Sequence, residues 1–272
     1  MNSAYVWLRR AKTLIGWGAA LLMLAVVVST AAAQPKEVLV YQFDPAVDST
    51  TIESGIIDHS GNTYNGTCSS LYAYPGAMKI LPGHLSNTFA LATAGLDDFP
   101  GTCVWTGATT AQLGLTPTAT ANGSFTIMAW VNRASLRHED NMVFGTTGAR
   151  DVGFAMHLGF RNWDTYFGLW GNDSQANLMP TPLAGAWHHM AWRLDATAGN
   201  QDIFIDGVMV NSDPGHHAFR EADQVFLIGA AFPGANGDNG AFAGLIEYPR
   251  VFNVVLRNDQ VAAAAKDQPI PP

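Results

Sequence analysis

The residues of this chain best suited by type to acid–base chemistry are its glutamates, Glu37, Glu53, Glu139, Glu221 and Glu247, and their spacing argues against that use. Glycoside hydrolysis by a retaining route needs two carboxylates about 5 Å apart. No strand-like run here carries two acids on one face. Glu139 and Asp140 are adjacent, so their side chains diverge and read as a solvated turn. The doublets His188-His189 and His216-His217 diverge in the same way, and neither makes a two-ligand metal clamp by itself. HExxH and GxSxG motifs are absent. These residues favour binding over catalysis.

Sugar recognition asks for an aromatic ring beneath the pyranose and directional polar groups around its hydroxyls. The runs 161–166 and 170–173 supply that mixture. Trp163 and Trp170 are expected to frame a glycan site, with Arg161, Asn172 and Asp173 as polar partners. Asn236-Gly-Asp-Asn239 adds a further polar loop. The alternative, that the two tryptophans only cover the rim of the fold, stays open. Trp130, Trp187 and Trp192 lie inside strand patterns and are read as core.

The elements that must position these groups are β-strands. Strand patterns fall at 38–44, 84–91, 125–132, 142–146, 153–161, 165–170, 187–194, 202–209, 224–229 and 241–252, separated by Gly, Asn, Asp and Pro. Alternation in 154–160 puts Phe154, Met156, Leu158 and Phe160 on one face, with His157 and Arg161 on the other. Asp206-Gly207 is a hairpin signal. One helix is predicted, at 257–266, closed by Pro269 and expected to pack on the rim. The pattern is that of an all-β sandwich of two antiparallel sheets with a short C-terminal helix.

Residues 1–33 read as an address. Arg9, Arg10 and Lys12 precede an apolar run of about 15 residues, short of the roughly 20 that span a bilayer, and Ala31-Ala-Ala33 follows. A signal peptide cleaved after Ala33 is expected, leaving one domain at 34–272 that is secreted, periplasmic or extracellular. An uncleaved anchor is the alternative. Removing those three residues from the 14 basic ones leaves 11 against 22 acidic, a formal charge of −11. Such a surface disfavours nucleic acid and anionic membranes as partners. In an oxidising compartment the only two cysteines, Cys68 and Cys103, are most simply one disulfide, worth roughly 4 kcal/mol in the chain-entropy model. Two buried thiols are the competing reading.

Five segments in order resemble laminin G-like domains of the concanavalin A-like lectin/glucanase superfamily. They are Tyr41-Gln-Phe-Asp44 with Asp58-His-Ser-Gly-Asn62 and Asn65-Gly-Thr67, then Phe125-Thr-Ile-Met-Ala-Trp-Val131, Trp187-His-His-Met-Ala191, Phe204-Ile-Asp-Gly207, and Gly244-Leu-Ile-Glu-Tyr-Pro-Arg-Val-Phe252. The resemblance, spanning about residues 38–266, implies a concanavalin A-like jelly roll. It also implies a structural calcium at Asp44 and Glu247, although Glu stands where the family usually has Asp, and Tyr248-Pro249 replaces Asp-Val. The Glu-x-Asp-x-x-Glu strand of laminarinase-like members is missing. The implied function is a secreted, non-catalytic carbohydrate-binding or adhesion domain whose partner is a glycan or a cell-surface or matrix component. A structural or protein-interaction module without a glycan ligand is the alternative.

Overall fold

The computed structural model describes residues 33–48, 55–70, 79–93, 102–134, 140–148, 151, 153–178, 183–231 and 240–272, with the side chains of 68–70 and 102 excepted. The leader up to residue 32 and the polar loop at 236–239 lie outside the described residues. Ala33–Pro272 forms one compact unit. Among the described residues no helix is long and apolar enough to cross a membrane.

Among the described residues sixteen strands and one helix follow in order: β1 Leu39–Val40, β2 Gly55–Ile56, β3 Gly66–Ser70, β4 Lys79–Pro82, β5 Phe89–Thr93, β6 Thr102–Thr109, β7 Phe125–Arg133, β8 Asp140–Thr146, β9 His157–Arg161, β10 Asp164–Gly168, β11 Ser174–Asn177, β12 Trp187–Asp195, β13 Asn200–Ile205, β14 Val208–Pro214, β15 Val225–Ile228, β16 Gly244–Phe252 and α1 Asn258–Ala264. The first sheet runs β14-β13-β12-β7-β16-β5-β4, with β1 paired to β16, and the second runs β11-β10-β9-β8-β15-β6-β3-β2. All named strand pairs are antiparallel.

The core follows from alternation. Phe125, Ile127, Ala129 and Val131 of β7 and Met190, Trp192 and Leu194 of β12 meet Phe144, Leu158, Phe160, Phe167 and Phe226 of the second sheet. The predicted alternation of 154–160 holds for Met156, Leu158 and Phe160. His157 takes the opposite face as expected, yet it is buried there, stacked on Tyr166 with Trp170 at its edge. Gly168 makes this fit: a Cβ there would lie 2.0 Å from the His157 ring.

Several expectations change. The predicted strand 38–44 shrinks to β1, because Phe43 takes a left-handed φ of 55° and the chain turns at Asp44. The run 84–91 is a turn followed by β5. The run 202–209 is two strands joined at Asp206-Gly207. α1 lies against the outer face of the first sheet rather than the rim. Val261 and Ala264 pack there on Met128, Ala191, Phe204 and Phe252. Gly207, at φ 80°, permits the approach, since a Cβ would lie 2.8 Å from Ala262 Cα. Arg193 ties the same face down through Asp202, at 2.8 Å, and the Leu256 carbonyl, at 2.6 Å.

The cysteines sit on paired strands: Cys68 of β3 opposes Val104, and Cys103 of β6 opposes Ser69. The Cys68 side chain is outside the described residues.

Candidate functional site

The outer face of the first sheet beyond α1 gathers the polar side chains of greatest chemical interest. Antiparallel register sets His189 of β12, Trp130 of β7 and Glu247 of β16 side by side. A bulge between Glu247 and Arg250 adds one residue to β16, so that Arg250 faces Met128 and shares the outer face with Glu247. Pro249 is tolerated there because a bulge does not ask for its missing N–H. The bulge residue Tyr248 has a φ of 48°, strained for a bulky side chain.

The turn between β4 and β5 supplies His84. Its ring stacks on Trp130 with centroids 4.1 Å apart, and its backbone N–H donates to Glu247 Oε2 at 2.6 Å. Nδ1 lies 2.8 Å from the same oxygen, close enough for an ion pair but off the line of a hydrogen bond. Nε2 lies 3.0 Å from Asp267 Oδ2, and Trp130 Nε1 donates to Asp267 Oδ1 at 3.1 Å. Gly83 lets the turn come this close, since a Cβ would sit 2.3 Å from Glu247 Oε2.

Beside this cluster lies a cavity of about 350 Å³ whose lining includes Gln42, Asp44, Asn87, Phe89, Glu247 and Tyr248. Two strained non-glycine residues flank it, Phe43 next to Asp44 and Tyr248 next to Glu247. Such strain concentrates at functional sites because the surroundings must over-determine it. Burial, reinforced by the Arg250 charge, holds the His189 ring down at about 3. Burial likewise lowers Arg250 from its ordinary value.

Asp44 and Glu247, predicted as calcium ligands, line the same cavity. These two carboxylates alone offer fewer than the six to eight oxygens a calcium ion takes. Asp44 Oδ1 is used by the Ala46 N–H at 2.8 Å, Glu247 faces His84, and both Asp267 oxygens are taken. Among the described residues no group of three or more His, Cys, Asp or Glu could hold a metal. Adding calcium or chelator is therefore expected to leave the melting temperature unchanged in a thermal unfolding scan. A calcium-dependent rise would restore the ion.

The residues expected to frame a glycan lie elsewhere, on the β9–β10 hairpin of the second sheet. Trp163 is in its turn, while Trp170 follows the other end of β10. Five residues of strand, roughly 17 Å, separate the two ends, so they do not frame one site. Arg161 pairs with Asp140 at 2.9 Å and covers the Tyr166 ring at 4.0 Å. Asp173 accepts from the Tyr166 hydroxyl and the Leu169 N–H, both at 2.8 Å. Asn172 is buried between the His216 ring and the His217 backbone. These groups secure the hairpin.

Sequence reasoning missed Trp130, His84, Tyr248, Arg250 and Asp267. One signal was available: apolar residues at 125, 127, 129 and 131 put Trp130 on the opposite, outer face. Trp192 is core as expected, whereas Trp130 and Trp187 are only half-buried.

The family model described as the concanavalin A-like lectin/glucanases superfamily matches residues 106–262. The chain belongs to this superfamily. Solved structures of similar shape include domain 4 of AbnA, a GH43 extracellular arabinanase from Geobacillus stearothermophilus, in complex with arabinotriose; it is 20% identical with a TM-score of 0.61, covering 86% of this chain and 100% of that one. The receptor binding domain of botulinum neurotoxin mosaic serotype C/D is 13% identical at a TM-score of 0.54, covering 86% of this chain and 51% of that one. That of botulinum neurotoxin type G is 12% identical at 0.52, covering 85% and 51%. The chain thus spans about half of each neurotoxin domain. At these identities the likeness is one of fold. No curated protein matches the chain.

Proposed function

We propose that this superfamily member is an exported, non-catalytic carbohydrate-binding domain that takes its ligand in the cavity between the β4–β5 turn and the Tyr248 bulge. The observation that carries the reading is the cavity's composition: Tyr248 and Phe89 supply apolar area, and Gln42, Asp44, Asn87 and Glu247 supply directional polar atoms, between two strained backbone positions. The arabinotriose complex of the arabinanase domain supports a glycan as the ligand class. Export rests on the leader predicted at 1–33. Catalysis is disfavoured because the His84 ring fills the space between Glu247 and Asp267, where a hydrolase would place the scissile bond or its water.

The test is a glycan array on the intact chain, followed by titration of the best neutral hit against three variants. Tyr248→Ala is expected to weaken binding about tenfold, the equivalent of roughly 1.4 kcal/mol, while Trp163→Ala and Trp170→Ala leave it unchanged. Loss in the tryptophan variants alone would move the site to the β9–β10 hairpin.

One observation favours a protein-interaction reading. β14 is an edge strand that exposes Val208, Met209 and Val210, at 65%, 41% and 43%. Unpaired edges of this kind recruit other strands. If that edge is functional, sedimentation will show self-association that Val210→Lys abolishes; a monomer at all concentrations removes the self-pairing form of this reading.

A further inference from the structure

A second cavity of about 350 Å³ adjoins the first, sharing Tyr248 and Asp267 as a common wall. It is bounded by the N-terminal residues Gln34 and Glu37, by Arg250, and by Gln268 beyond α1. Gln34 Nε2 donates to the Ile270 carbonyl at 3.1 Å and so links its N-terminal and C-terminal walls.

Arg250 is the anomaly in this cavity. Its side chain is almost entirely buried and its Nε has no hydrogen-bond partner. Its guanidinium lies over the Tyr248 ring at 4.5 Å, and among the described residues no carboxylate lies within ion-pairing distance of it. A nearly buried guanidinium on a cavity wall, with one unpartnered N–H and no carboxylate at ion-pair distance, can take a further acceptor from outside the chain.

Charge decides what kind of acceptor. One guanidinium faces two carboxylates, Glu37 and Asp267, both near enough to act on it electrostatically. A third carboxylate, brought by the ligand, would be repelled. A neutral vicinal diol fits instead, with one hydroxyl accepting from Arg250 and the next donating to Glu37. The Gln34 and Gln268 amides can serve either role.

We propose that this cavity is a second subsite continuous with the first, so that the ligand is a neutral oligosaccharide of at least two sugar units whose chain crosses Tyr248. This rests on the carbohydrate-binding reading above and adds ligand length and charge. Each cavity alone is at the lower end of the roughly 300–1,000 Å³ of small-ligand sites, and the two together hold a short chain.

The test is calorimetric titration of the intact chain with arabinose, glucose and xylose, with arabinotriose, cellotriose and xylotriose, and with trigalacturonate as the charged counterpart. At least one neutral trisaccharide is expected to bind ten or more times tighter than its monosaccharide and tighter than trigalacturonate. Arg250→Met is expected to erase that length advantage. Gln268→Ala, at an exposed wall residue, is expected to reduce the advantage several-fold. It serves as the variant of record if Arg250→Met unfolds, as judged by thermal melting. Equal affinity for mono- and trisaccharide, or full trisaccharide affinity in both variants, overturns the second subsite but not the function. Preference for trigalacturonate overturns the neutral class. Binding of no sugar at all overturns the function and the subsite together.

Discussion

Replacing Trp192 by alanine is expected to cost about 3–5 kcal/mol, the range for truncating a large buried aromatic. Trp192 leaves β12 of the first sheet and crosses the sandwich. Its ring meets Phe144 edge-on at 5.9 Å, and its Nε1 donates to the Tyr166 carbonyl of β10 at 3.0 Å. Truncation removes fully buried apolar area and also one buried hydrogen bond, which adds about 0.5–1.5 kcal/mol. Against a typical net stability of about 5–15 kcal/mol this is a large fraction. Urea unfolding followed by tryptophan fluorescence and circular dichroism measures it. A loss below about 2 kcal/mol would mean that the sheets relax into the cavity and that this contact does not organise the sandwich.

Stability is expected to fall as the pH drops from about 6.5 towards 4, because two histidines are buried in their neutral form. Burial holds His157 down at about 4, against the opposing pull of Asp173, and His189 at about 3, with Arg250 adding to the effect. In the unfolded chain both return to about 6.5. Between those values the unfolded state carries protons that the folded state does not, so stability rises with pH across the window. It is complete above about 6.5 and is lost as the pH falls, at up to about 1.4 kcal/mol per pH unit for each ring. The depressed Asp206 carboxyl acts in the same direction but only below its ordinary value, outside this window. Unfolding midpoints at pH 7, 6, 5 and 4.5 give the slope. His189→Phe, which keeps a ring of similar size without a titrating group, is expected to remove about half of it. Parallel slopes in the two proteins would show that His189 is protonated in the fold, and therefore that its ring reaches water or a carboxylate.

The strands with clean period-two alternation were legible. β7, β12 and β16 fall within a few residues of their predicted bounds because one face of each is core, and a half-buried strand cannot hide its pattern. β2, β3 and β6 escape a sequence reading, since they are short or rich in Gly, Ser and Thr and carry little alternation. Trp163 and Trp170 belong to one sequence cluster, Arg161 to Asp173. A hairpin carries the two ends of such a cluster apart, and the intervening polar groups turned inward to secure one another.

Three decisions belonged to tertiary structure alone. The bulge in β16 re-aims Arg250 onto the outer face, and one extra residue in a strand has no periodic signature distinct from a shifted register. His84 reaches Glu247 from 163 positions away, and Asp267 reaches His84 from 183, brought there by a turn and by the chain beyond α1. Glu247 faces His84, a matter of which loop arrives at its carboxylate. The sequence by itself determined the sandwich, its hairpins and the identity of its core, because burial of alternating apolar residues is a local pattern with a large collective energy. The cavity and its chemistry depend on a few long-range contacts between loops, each worth little to stability and therefore weakly written in the order of the residues.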